Sequence, residues 1–120
     1  MTTVHPALSY ELYPPRSHAS CDSLLKTITE LEQTNPDYVS VTYSGDAQRR
    51  QKTLALLDHL VHETSLNPLA HLICVGHSVA DLERSVRLIL GLGVRGFLAL
   101  RGDIPPENTR PLDVPFARSL

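Results

Sequence analysis

No stretch of this chain reaches the roughly 18–20 consecutive apolar residues of a membrane-spanning helix. Positive charge is not in excess either: the formal net charge is −2, which removes the electrostatic case for nucleic acid or an anionic membrane as a partner. The opening residues Met1-Thr2-Thr3-Val4-His5-Pro6 have neither the basic nor the apolar region of a secretory signal, so a cytoplasmic location is expected. Cysteine is scarce. Cys21 and Cys74 are far apart and form no C-x-x-C; both are expected to be reduced, with Cys74 a small core residue inside an apolar run. What is present is ordinary for a globular protein: 42% apolar and 20% charged residues over 120 positions, enough for a single domain, residues 1–120, with a real core.

The most telling stretch is Ser9-Tyr10-Glu11-Leu12-Tyr13-Pro14-Pro15-Arg16. Polar and apolar residues alternate as they do in a strand. Ser9, Glu11 and Tyr13 share one face; Leu8, Tyr10 and Leu12 share the other. The double proline ends the strand, since proline brings no amide to a ladder. A carboxylate in the middle of a strand needs either a partner or a task, because burying it alone is costly.

The rest of the chain repeats one unit. After the strand at 7–13, with Ser20 or Asp22 as the expected N-cap, helical spacing of Leu24, Leu25, Ile28 and Leu31 predicts a helix over 21–33. Asn35-Pro36 breaks it. Tyr38 to Tyr43 reads as a second strand, rich in β-branched and aromatic residues, and Ser44-Gly45-Asp46 turns the chain. A second helix is predicted over 47–64 on Leu54, Leu57, Leu60 and Val61, ended by Asn67-Pro68. A third strand follows over 70–75. Gly76-His77-Ser78 leads into a helix over 79–92, with Leu82, Val86, Ile89 and Leu90 inward and Gly93 as the stop. A fourth strand is expected over 96–101, then Gly102-Asp103. A proline-rich loop occupies 104–120, and its last residues are a candidate start for a fourth helix.

The order βαβαβαβ, repeating every thirty or so residues, implies parallel strands joined by right-handed crossovers. Both a doubly wound sheet and a (β/α)8 barrel have this pattern, and both gather functional groups at the C-terminal strand ends. The polar faces of the first two strands favour the barrel. Doubly wound sheets are covered on both sides and prefer apolar residues on both, whereas a barrel mouth can hold Ser9, Glu11, Ser40 and Thr42 around a ligand.

Four stretches, Ser-Tyr-Glu-Leu-Tyr-Pro-Pro-Arg at 9–16, Val-Ser-Val-Thr-Tyr at 39–43, Ala-His-Leu-Ile-Cys at 70–74 and Ala-Leu-Arg-Gly-Asp-Ile-Pro-Pro at 99–106, resemble the signatures of the 5,10-methylenetetrahydrofolate reductase family in order and spacing. Arg50 and Thr53 also fit. The resemblance implies the first four strands of a (β/α)8 barrel, about half of one. It implies an FAD-dependent oxidoreductase of one-carbon and methionine metabolism, which uses NAD(P)H to reduce methylenetetrahydrofolate to 5-methyltetrahydrofolate. Glu11 then matches the general acid for opening the folate ring, and Asp103 the acidic residue that contacts folate and tunes the flavin. Thr42, Tyr43, His71, Arg101, Gly102 and Asp103 match flavin-contacting positions, with Thr42 also beside the nicotinamide. Ala117 matches another if the preceding loop carries extra residues. Ring opening needs a proton at a poorly basic nitrogen, and a partly desolvated carboxylic acid can supply it.

Plainer roles stand beside these. Glu11 could pair structurally with Arg16 or Arg101, and Asp103 could serve only the turn. His71 could be a satisfied core histidine. Arg49, Arg50 and Lys52 read as a solvated helix face, with Arg50 a candidate anchor to the barrel rim. His59 and His62 lack a third ligand, so no metal is expected. As an alternative to enzymatic activity, a four-stranded half-barrel has open edges at its first and last strands, through which it is expected to self-associate.

Overall fold

The computed structural model describes residues 6–43 and 47–102. The elements in chain order are β1 (Ser9–Leu12), α1 (His18–Glu32), β2 (Tyr38–Val41), α2 (Ala47–Glu63), β3 (Pro68–Ile73), α3 (Val79–Gly91) and β4 (Gly96–Leu100). The strands form one parallel sheet in the order β1-β2-β3-β4. This unbroken order excludes the doubly wound alternative, which requires a reversal of strand order at a switch point. With right-handed crossovers, consecutive order keeps every helix on the same face. The result is the expected partial (β/α)8 barrel: an open arc of βα units.

The helix-covered face is the core. Leu12, Val39, Val41 and Ala70 point from the strands toward Ile28 of α1, Leu56, Leu57 and Leu60 of α2, and Ile89 of α3. Most of these are essentially inaccessible. Alternation then forces Ser9, Glu11, Ser40, His71 and Ile73 onto the opposite, concave face.

Local chemistry explains the boundaries. α1 begins three residues earlier than expected. Its N-cap is Ser17, whose hydroxyl accepts from the Ser20 amide while the Ser20 hydroxyl accepts from the Ser17 amide. Ser20 is thus the return half of a capping box, not the cap itself. Asn35 takes a left-handed conformation, φ 50°, which asparagine tolerates, and Pro36 prevents the helix from resuming. Leu8 and Asp37 then clip β1 to the start of β2 through an Asp37 amide to Leu8 carbonyl bond and a Leu8 amide to Asp37 carboxylate bond, each 2.7 Å. β3 starts two residues earlier than predicted, at Pro68, because the first position of a strand can do without an amide donor. Gly93 sits at φ 101° just past α3, in the left-handed role of a helix stop.

Two predicted core leucines are largely exposed: Leu25 at 39% and Leu90 at 48%. Leu25 borders a groove between α1 and α2. Leu90 belongs to the last described helix, and nothing described packs on its outer flank. No described helix is long and apolar enough to cross a membrane.

Candidate functional site

β1, β2 and β3 bring three of the expected site residues together. Register places Glu11 opposite Ser40 and Val41 opposite Ala70; one step further along, Thr42 and His71 converge on Glu11. The Thr42 hydroxyl donates to Glu11 Oε1 at 3.3 Å, and His71 Nδ1 lies 3.8 Å from the same oxygen. Neither Arg16 nor Arg101 comes within ion-pair distance of Glu11 among the described residues, so its neighbours are a hydroxyl and an imidazole.

The three side chains differ in exposure, and this defines the site. His71 is buried, with its Nε2 in no hydrogen bond. A buried ring nitrogen without a partner is uncommon and costly. Glu11 is 47% exposed at its side chain. Thr42 is fixed from behind: the fully buried Thr53 of α2 donates its hydroxyl to the Thr42 carbonyl at 2.8 Å. One strand end, one helix and one hydroxyl therefore hold the Glu11 partner in place.

The other candidates lie elsewhere. Tyr43, one residue past Thr42, turns to the helix side, packs against the core and borders a cleft with Arg50, His77, Leu82 and Ser85. Arg50 and His77 line that cleft together. Arg101 is exposed at the end of β4, where its carbonyl accepts from the Val75 amide at 2.8 Å. Gly102 follows at φ 88°, and a Cβ there would lie 2.6 Å from Ile73 Cγ2 and 2.9 Å from Val75 Cγ1. Only glycine fits that backbone and that space. Asp103 and Ala117 lie outside the described residues, as do the Ser44-Gly45-Asp46 turn and the proline-rich loop.

A second feature escaped the sequence. Arg16, after the double proline, and Arg49 and Lys52, on α2, line a cavity of about 560 Å³ with Tyr13, Pro15 and Thr42. The signal was available only in part: positions 49 and 52 share a helix side, but Arg16 is remote in sequence and joins them only when β1 pairs with β2.

Electrostatic perturbation lies away from the Glu11 cluster. The Ser78 hydroxyl, with Arg84, holds the Asp81 carboxyl below the ordinary range at the start of α3. Burial pushes the Cys74 thiol up. His62 faces Asp58 at 3.4 Å while His59 borders the α1–α2 groove, and no group of three metal-binding side chains occurs among the described residues.

Comparison with known proteins bears on this arrangement. The family model described as methylenetetrahydrofolate reductase matches residues 1–118. The 5,10-methylenetetrahydrofolate reductase of Escherichia coli (strain K12) is 32% identical over 104 residues, covering 87% of this chain and 35% of that protein. That of Buchnera aphidicola subsp. Schizaphis graminum is 30% identical over 100 residues, covering 83% and 34%. A Zea mays protein named methylenetetrahydrofolate reductase (NADH) 1 is 23% identical over 99 residues, covering 82% and 17%. The chain spans about a third of the length of its bacterial relatives. With a match across nearly all of its residues and an open arc of parallel βα units beneath it, the chain belongs to the methylenetetrahydrofolate reductase family.

Proposed function

We propose that this chain carries the acid-bearing wall of a flavin-dependent 5,10-methylenetetrahydrofolate reductase that uses NAD(P)H, with Glu11 as proton donor to the folate. The observation that carries this reading is the Glu11–Thr42–His71 cluster on the concave face, above all the buried His71 Nε2 with no partner. A flat heteroaromatic ring laid over that face offers such a nitrogen a partner and covers the half-exposed carboxylate. Gly102 fits the same group, since its backbone admits close approach at the end of β4. FAD, when bound, supplies the hydride-relay chemistry.

The chain's own residues then have distinct tasks. Glu11 holds the proton, and Thr42 fixes one carboxyl oxygen, leaving the other to face the substrate nitrogen. His71 offers one nitrogen to Glu11 and the other to the ring above. The carboxylate is half-exposed in the four-stranded arc, so the desolvation that makes it an effective acid comes from the groups that cover it. Arg101, at the end of β4, is the proposed phosphate contact; Asp103 and Ala117, outside the described residues, are the proposed folate contact and a further flavin contact, and Tyr43 is another flavin contact. Flavin fluorescence titrated with the purified chain tests the reading: saturable quenching is expected, with affinity about tenfold weaker in His71→Ala, the loss of roughly one hydrogen bond to a buried group. Unquenched flavin at every protein concentration would remove the cofactor from this chain.

A second reading keeps the fold and gives up the chemistry: an inactive half-barrel whose capacity is self-association. What favours it is that β1 and β4 each present an unpaired edge among the described residues, and unpaired edges recruit other strands.

A further inference from the structure

The two ring nitrogens of His71 have different surroundings. Nδ1 lies 3.8 Å from Glu11 Oε1, in ion-pair range and too far for a hydrogen bond. Nε2 is buried and bonded to nothing. A neutral imidazole carries one N–H and one lone pair, and the two placements of that proton have opposite consequences here. With N–H at Nδ1, the ring presents a donor to the carboxylate and Nε2 is an acceptor. With N–H at Nε2, the Nδ1 lone pair points at a carboxylate oxygen, and two acceptors face one another unless a proton comes between them. What meets Nε2 therefore decides the state of the Glu11 side.

The concave face leaves this pair largely to itself. Alternation puts Ser9, Ser40, Ile73, Leu98 and Leu100 on that face with Glu11 and His71. Of its remaining members, Tyr13 is titratable and is 63% exposed just past β1. Thr42 donates to Glu11 Oε1 and carries no charge. Arg16, Arg49 and Lys52 border the adjoining cavity, and Arg101 is exposed beyond β4. Among the described residues, His71 is the group within ion-pair distance of Glu11. Asp103 lies outside them.

The edge of a flavin ring carries carbonyl oxygens and ring nitrogens that accept, against one N–H. An acceptor laid on Nε2 draws the imidazole proton there, and the Glu11 side must gain a proton in its place. That proton can settle on Nδ1, as imidazolium beside carboxylate, or on the carboxyl beside a neutral ring. Either way the pair as a unit gains one proton from water, and no bond between heavy atoms forms or breaks.

We propose that His71 is a positioning residue for the Glu11 proton: cofactor binding at Nε2 loads the Glu11–His71 pair with one proton before the folate arrives. The proton passed to the folate nitrogen leaves through Glu11 and is replaced from water. This role rests on the flavin-dependent function proposed above.

Calorimetric titration of the 120-residue chain with FAD, in buffers of different ionisation enthalpy, counts the protons. At about pH 7.5 an ordinary carboxyl and an ordinary imidazole are mostly deprotonated, so uptake of about one proton per flavin is expected. The complex holds more protons than its separate components, so binding should tighten as pH falls, by up to about tenfold per pH unit. Glu11→Gln should bind FAD without uptake. His71→Gln, which keeps an amide donor and cannot titrate, should also show none, and far-UV circular dichroism checks that both variants are folded. Asp103→Asn should retain the uptake. In a chain labelled at its histidines, the His71 ring carbon shifts should report N–H at Nε2 in the complex. FAD that binds without proton uptake, uptake that survives Glu11→Gln, or a neutral His71 protonated at Nδ1 in the complex overturns the proposal and leaves the flavin reading standing. A chain that binds no FAD removes the flavin reading and this role with it.

Discussion

Glu11 looks anomalous only while β1 is considered alone. In the sheet it is one of several polar groups on a concave face, and the side chains that matter to it come from the ends of β2 and β3. Control of that face reaches back into α2 through the fully buried Thr53, whose hydroxyl donates to the Thr42 carbonyl in a part-buried bond. Thr53→Val leaves that carbonyl unsatisfied. It should lower stability by roughly 1–3 kcal/mol in urea unfolding, with Thr53→Ser recovering most of the loss. Equal stability of Val and Ser variants would show that the hydroxyl contributes nothing. The cysteines differ in the same way. Cys74 is buried with its thiol pushed up, whereas Cys21 is half-buried. A disulfide-exchange reagent near pH 8 should therefore modify Cys21 rapidly and Cys74 only on unfolding.

The helices are set by their ends as much as by their apolar stripes. Ser17 and Ser20 satisfy one another's amides at the start of α1, and no acidic residue reinforces that turn. Ser17→Ala should cost about 1 kcal/mol and raise amide exchange in the first turn of α1, with β2 and β3 unaffected. Slow exchange retained in that turn would place the stabilisation elsewhere. This boundary was only partly legible. Helical periodicity located α1 correctly, but several serines and an aspartate compete as caps between Arg16 and Asp22, and only the backbone geometry selects Ser17. Leu25 and Leu90 show a related limit: periodicity assigns a residue to a helix face, while its burial depends on a neighbour that must actually be there.

At the largest scale, the described residues form an arc whose sheet has two unpaired edges. β1 and β4 lie at opposite ends of the sheet, and the concave face carries Leu98 half-buried and Leu100 37% exposed. Two such arcs related by a two-fold axis would set β4 of each beside β1 of the other and supply the eight strands of a closed barrel. Sedimentation of the isolated chain should therefore show a concentration-dependent dimer or larger species. A single monomeric boundary across the micromolar range would show that the edges are protected.

The residues by themselves determined the succession of βα units, since apolar periodicity and Pro and Gly punctuation are local properties of the chain. They also determined the family, through four ordered stretches, and which side chains alternate away from the core at Glu11 and His71. Tertiary structure decided the rest. Strand order removed the doubly wound alternative, and register set Thr42 and His71 beside Glu11 while turning Tyr43 to the other side. Pairing of β1 with β2 carried Arg16 to Arg49 and Lys52, making a cavity from what sequence alone reads as a solvated face. The physical reason is common to all three: spacing along the chain fixes the direction in which a side chain points, but its neighbours belong to other strands and helices, and only the packed sheet specifies the distance between them.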